Sequence, residues 1–173
     1  MTVDHLASLK RLAAMVANLE ADAMLSADEL IGLEHDYLLR DWLNLQWDGL
    51  SNERVVAHLD CDSRHHQLLG LVNGGVWCTV VESLSSYGAA VRAARHDKAA
   101  VGVENITRFL RPHRSGRVNA VAQIVHADTD HQLWDVEITR EWDAKPVAQG
   151  QVRLAHIEWT DPGAVVAPRQ AAD

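Results

Sequence analysis

Between residues 75 and 95 the apolar positions Val76, Val80, Val81, Leu84, Tyr87, Gly88 and Val91 recur at i, i+3, i+4 and i+7, the period of a single helix. Most of its circumference is apolar or small, so this helix is expected to be buried. Upstream, residues 3 to 24 place Val3, Leu6, Leu9, Leu12, Ala13, Val16 and Leu19 on one face and Lys10, Arg11, Glu20 and Asp22 elsewhere. That is an amphipathic helix, lying over the domain or against a partner helix. Ser26 followed by Glu29 forms a capping box that starts a short helix near 27 to 33. A third helical pattern, HDYLLRDWL, ends before Asn44.

From Arg54 the period shortens. RVVAHLDC reads as a strand at 53 to 61 and the polar DSRHHQLLG after it as a loop. Beyond the long helix come four segments rich in Val, Ile, Thr or Trp, at 98–110, 116–127, 131–143 and 145–159. Turn signals at Pro112 to Gly116, Asp128 to Asp130 and Asp143 to Pro146 separate them. Strands joined this closely run antiparallel. A sheet with one apolar face needs a cover and an apolar helix needs wrapping, so the expected fold is α+β, a curved antiparallel sheet folded around residues 75 to 95. The chain then divides into an N-terminal helical extension at 1–43, a domain at 44–160 and a disordered tail at 161–173, where Pro162, Gly163 and Pro168 follow Trp159.

At 173 residues and 47% hydrophobic, the chain suits one domain with a proper core. A formal charge of -8 argues against nucleic acid or an anionic membrane as partner. No apolar run approaches the ~18 residues that span a bilayer. The opening MTVDHLASLK carries Asp4 and does not read as a secretory signal. Cys61 and Cys78 have no zinc or redox spacing, which makes a reduced, cytoplasmic protein the expectation.

Chemistry concentrates on the long helix. Gly74 and Gly75 leave its first amides without side-chain cover, so a carbonyl oxygen can approach the positive end of the dipole. The glycines equally suit a plain turn. Glu82 is an ionisable group in an apolar helix, either functional or satisfied by a neighbour such as Ser86, four residues on. Glu82 lies about 12 Å along the axis from Gly74, too far to attack a carbonyl held at its own helix start. If the two groups cooperate, they come from two copies related by a two-fold axis. Arg108, Arg111, His113, Arg114 and Arg117 cluster within ten residues, as a phosphate-binding patch or a solvated turn. Adjacent His65 and His66 point opposite ways in extended chain and read as loop residues. Cys78 reads as a buried structural thiol, and the tryptophans as core or interface, with Trp77 the one placed to line an acyl pocket.

The segment HHQLLGLVNGGVWCTVVESLSSYGA resembles the central part of the hotdog-fold acyl-CoA thioesterases, in the branch of 4-hydroxybenzoyl-CoA and phenylacetyl-type thioesterases with a helical Glu. Gln67, Gly74 and Glu82 fall at that branch's spacings of seven and eight. NITRFLRPHRSGRVNAVAQIVHADTDHQLWDVEIT resembles the second half, so the likeness covers residues 45 to 158. It implies a hotdog fold paired as a dimer or dimer of dimers, hydrolysing an acyl-CoA to free acid and CoA, with CoA as part of the substrate and no metal or other cofactor. It further implies that the Gly74 N–H polarises the thioester carbonyl, that Gln67 positions the carbonyl or water, and that Glu82 of the other subunit is nucleophile or general base beside Ser86. Asn73, Gly75, Trp77, Arg108 and Arg111 would bind substrate. Two departures stand out: Asn73 replaces the usual His, and HADTDHQ replaces a basic turn. They keep open a hotdog protein that binds acyl-CoA or an acyl carrier without turnover, and a structural dimer in which Glu82 is only a satisfied acid.

Overall fold

The structure is a computed structural model that describes residues 5–20, 22–30 and 38–158. Its elements are α1 (His5–Ala17), β1 (Leu25–Ser26), α2 (Ala27–Leu30), α3 (Leu38–Leu43), β2 (Leu45–Leu50), β3 (Arg54–Cys61), a 3-10 turn (Ser63–His65), α4 (Gly74–Ala94), β4 (Lys98–Phe109), β5 (Gly116–Ala127), β6 (His131–Arg140) and β7 (Pro146–Glu158). The strands form one antiparallel sheet in the order β1-β2-β3-β5-β6-β7-β4. It wraps α4, the hotdog arrangement, and leaves β4 as a long edge strand. The expected tail at 161–173, residues 3 and 4 of the first helix, residues 31–33 of the second and 35–37 of the third lie outside the described residues.

Alternation makes the wrap possible. Val55, Ala57 and Leu59 of β3, Val118, Ala120 and Ala122 of β5, Trp134, Val136 and Ile138 of β6, and Val152 and Leu154 of β7 are all buried and join one core with Val76, Val80, Val81, Leu84 and Val91 of α4. Helix and sheet approach closely at Gly88, where an added Cβ would stand 2.5 Å from the Trp134 ring, and at Gly150, where it would stand 2.5 Å from Val81. Leu12, Ala13 and Val16 extend the same core from α1, and a Lys10–Asp97 ion pair closes its rim.

Four expectations change. The sheet also contains LQWDGL, residues 45–50, as strand β2, a segment not expected as a strand, with a bulge between Trp47 and Gly49. The first helix stops at Ala17, where Asn18 turns its side chain back to the Ala14 carbonyl at 3.0 Å. Cys78 is only half-buried, while Cys61 is buried, its thiol pushed up to about 12 by desolvation first and by Asp60 and Asp62 next. Glu82 is half-buried rather than enclosed, because it faces the open-edged β4.

Gln132 is a polar group buried beside this core with both ends of its amide bonded. Gln132 donates to the Ala89 carbonyl (3.1 Å) and to His156 Nε2 (2.7 Å) and accepts from Trp134 Nε1 (2.9 Å). His156 in turn donates from Nδ1 to the Thr129 carbonyl (3.0 Å). Replacing Gln132 by Leu strands a buried indole N–H, at a cost of roughly 2 kcal/mol. Thermal denaturation of Gln132→Leu is expected to show a Tm lower by about 4–8 °C.

Candidate active site

The start of α4 is set by a network that begins in the preceding loop. The Asp62 side chain caps the 3-10 turn, accepting from Arg64 N at 2.9 Å, and His65 Nδ1 accepts from Asp62 N at 3.0 Å. The same buried imidazole donates from Nε2 to the Leu43 carbonyl at 2.8 Å, tying α3 to the loop. The His65 carbonyl accepts from Asn73 N at 2.8 Å. Asn73 is the N-cap: its Oδ1 accepts from Gly75 N at 2.7 Å and its carbonyl from Val76 N at 3.0 Å. Of the amides from Asn73 to Val76, only that of Gly74 has no partner among the described residues. It carries the positive end of a 21-residue helix.

Gly74 opens on a cleft of ≈ 290 Å³ lined by Gln67, Leu71, Val72, Trp77, Phe109, Arg111 and His113 among others. The Phe109 ring lies against the glycine, and a Cβ there would meet Phe109 Cζ at 2.8 Å. Gln67 is half-fixed: its Oε1 accepts from Leu69 N at 2.6 Å, leaving the amide NH₂ without a partner among the described residues. Deeper in, His113 is buried between Trp142, stacked at 5.2 Å, and Trp77 at 6.1 Å. Desolvation first, partly opposed by the bond to the Gly116 carbonyl, pushes the His113 pKa down, which favours the neutral ring in this wall.

Glu82 lies two turns along α4, beside β4. Its Oε1 accepts from Ser86 Oγ at 3.1 Å and its Oε2 from Asn105 Nδ2 at 2.9 Å. Asn105 is itself oriented, its Oδ1 accepting from Thr107 Oγ1 at 2.7 Å. Glu82 Oε1 occupies the space a side chain at Gly102 would fill, with 2.5 Å to an ideal Cβ. Asn105 and Thr107 are two apart in a strand, hence on one face, and Asn105 reaches Glu82 across 23 residues of sequence. The Asn-x-Thr pattern was present in the sequence, but nothing local marked it as facing the helix.

The fold thus gathers Gln67, Gly74, Trp77 and Arg111 in one cleft, with Asn73 and Gly75 forming the helix cap beside it. Glu82 and Ser86 form a separate cluster. Arg111 donates to the Pro146 carbonyl at 2.7 Å. Arg108 lies on the other face of the sheet, in a groove with Arg54, Gln123, Glu137 and Gln149, because strand alternation points it away from Asn105, Thr107 and Phe109. Arg117 forks onto Asp60, with two bonds of 2.8 Å that hold the Asp60 carboxyl below its usual range, and Arg114 braces the Leu69 and Gly70 carbonyls. The Asp128–Asp130 turn lies at the Lys98 end of β4, with Asp128 bonded to its own loop amides. Among the described residues, no group of three or more His, Cys, Asp or Glu could hold a metal ion, and no helix is long and apolar enough to cross a membrane.

Residues 69–147 match the family profile described as "Thioesterase superfamily". The chain is 40% identical over 118 residues to the protein named "Putative esterase Rv1847" of Mycobacterium tuberculosis, an alignment covering 67% of this chain and 84% of that one. The chain belongs to the thioesterase superfamily. The structure of the same mycobacterial protein superposes with a TM-score of 0.68 at 36% identity, covering 72% of the thioesterase chain and 99% of the other. The 1,4-dihydroxy-2-naphthoyl-CoA hydrolase of Escherichia coli is 30% identical over 100 residues, covering 58% of the thioesterase and 73% of the hydrolase. A mutant of thioesterase PA1618 from Pseudomonas aeruginosa superposes with a TM-score of 0.65 at 27% identity, covering 91% and 96%. Membership makes thioester hydrolysis the activity class, and the hotdog fold is the family's.

Proposed function

We propose that the protein hydrolyses acyl-CoA thioesters at two sites, each shared between two subunits of a homodimer. The observation that carries this reading is the single unpartnered amide, Gly74 N–H, at the helix start, facing the cleft that holds Gln67 and Arg111. The thioester carbonyl oxygen accepts from that amide, which stabilises the oxyanion as the carbonyl carbon becomes tetrahedral. Gln67 supplies a second donor from its free NH₂, and Arg111 faces the phosphates of CoA. Glu82 of the other subunit completes the site. Its carboxylate attacks the carbonyl carbon and expels the CoA thiolate, leaving an anhydride that water opens, or it takes a proton from the attacking water; both routes give acid and CoA. Asn73 serves as the cap that spares Gly74, a task that needs no proton.

The pairing surface follows from β4. It is a 12-residue edge strand with Val101, Val103, Ile106 and Phe109 exposed, the profile of an edge awaiting another strand. Along β4, Gly74 is level with Phe109, whereas Glu82 is level with Gly102 and Asn105. Antiparallel pairing of two β4 strands about a two-fold axis near Ile106 therefore brings each Glu82 level with the other chain's Gly74. Two free thiols, Cys61 and Cys78, accord with a reducing compartment such as the cytoplasm.

Thiol release from a panel of acyl-CoAs tests the activity, and subunit mixing tests the sharing. Glu82→Gln and Gly74→Val homodimers are each expected to be inactive. Random exchange between them forms one intact composite site in half of the dimers and regains about a quarter of wild-type activity. No thiol release from any acyl-CoA rejects the function; no recovery on mixing confines the site to one subunit.

A further inference from the structure

A second cleft, of ≈ 320 Å³, shares the start of α4: Gly74 lines the first, while Asn73 and Gly75 line the second. Its opposite wall is α3, through Leu39 and Trp42. These side chains are 59% and 55% exposed, although they flank a cavity at the helix start.

Most polar side chains around this second cleft are held by neighbours. Arg64 Nε donates to both Asp62 carboxylate oxygens at 3.1 Å. His65 is saturated by Asp62 and Leu43, His66 Nε2 meets the Arg114 carbonyl at 2.7 Å, and Thr79 Oγ1 donates to the Gly75 carbonyl at 2.8 Å. Beside them the cleft offers the Trp42 indole and the apolar side chains of Leu39, Leu43 and Val76, in a volume at the small end of ligand sites. Such a surface suits an uncharged apolar group, and its one guanidinium, Arg64, is already paired with Asp62.

A thioester bound through its carbonyl at Gly74 sends one arm to each side of the helix start. The thiol arm of CoA is polyanionic and belongs with Arg111 in the first cleft. The acyl arm is left for the second. We infer that α3 is the acyl-binding wall of this enzyme and that Trp42 is its specificity-determining residue, favouring acyl groups large enough to reach the indole over acetyl. The inference rests on the thioesterase reading above and extends it to a segment outside the sheet.

The test compares kcat/KM for benzoyl-, octanoyl- and acetyl-CoA in wild type, Trp42→Ala, Trp42→Phe and Leu39→Ala, all in the full chain. In Trp42→Ala the benzoyl-to-acetyl and octanoyl-to-acetyl ratios are expected to fall roughly ten- to a hundred-fold, and Trp42→Phe is expected to restore most of the loss. Leu39→Ala, which removes a smaller exposed side chain, should lower the same ratios about three-fold and carries the test if Trp42→Ala fails to fold. Unchanged ratios overturn the assignment. Calorimetric binding of a non-hydrolysable thioether of CoA bearing a phenyl or octyl group separates the two levels of inference. Weaker analogue binding by Trp42→Ala upholds the pocket even if no thioester is cleaved, and equal binding rejects the pocket even if hydrolysis is robust.

Discussion

Glu82→Gln is expected to lower kcat for thioester hydrolysis by about 10³ or more, the scale lost when a positioned nucleophile or general base is removed. The substitution keeps shape and bonds. The carboxamide oxygen it introduces can accept from Asn105, and the carboxamide nitrogen can donate to Ser86 Oγ, whose partner in the native protein is Glu82 Oε1 at 3.1 Å. Fold and assembly are therefore expected to survive, with a Tm within a few degrees of wild type and an unchanged mass by light scattering. Single-turnover thiol release measures the chemistry apart from product release. A kcat within ten-fold of wild type, or a loss of stability in place of activity, would make Glu82 a structural acid.

A smaller change at a residue with no side chain is expected to cost about 10- to 100-fold. In Gly102→Ala the new methyl would stand 2.5 Å from Glu82 Oε1, so the carboxylate must swing away and loosen its bond from Asn105. Displacement of a reacting group by about 1 Å costs up to ~10² in rate. Gly102 is not among the positive-φ residues and lies on the edge strand, so alanine is tolerated by the backbone and the fold should barely register it. Because Gly102 acts only through Glu82, the loss should fall on kcat with KM little altered. Equal activity for Gly102→Ala and wild type would show that this carboxylate position does not matter for turnover.

Much of this was legible in the sequence, for physical reasons. The long helix and the strands on either side announced themselves because each buries one face or stripe, which imposes a period on the chain. Gly74 and Glu82 stood out as chemistry on an otherwise apolar helix, and their eight-residue separation already required a second subunit if they act together. Strand β2 escaped because Asp48-Gly49 mimics a turn and the bulge that accommodates it is a tertiary event. Asn105, Thr107 and Gly102 escaped for another reason. They meet Glu82 only when β4 lies along α4, and which face of β4 turns inward depends on a bulge between Gly102 and Glu104 that no local pattern reveals. The same phase explains why Arg108 and Arg111, three residues apart, lie on different sides of the sheet.

The exposed edge of β4 also bears on what a single copy of the chain presents to its surroundings. A solitary molecule offers a row of unmet amides and carbonyls studded with valine, isoleucine and phenylalanine, with Lys98, Glu104 and Arg108 as its few gatekeeping charges. If copies pair along β4 as proposed, newborn or highly diluted ones are the most prone to stick to the wrong strand, and brisk self-recognition would cover that edge.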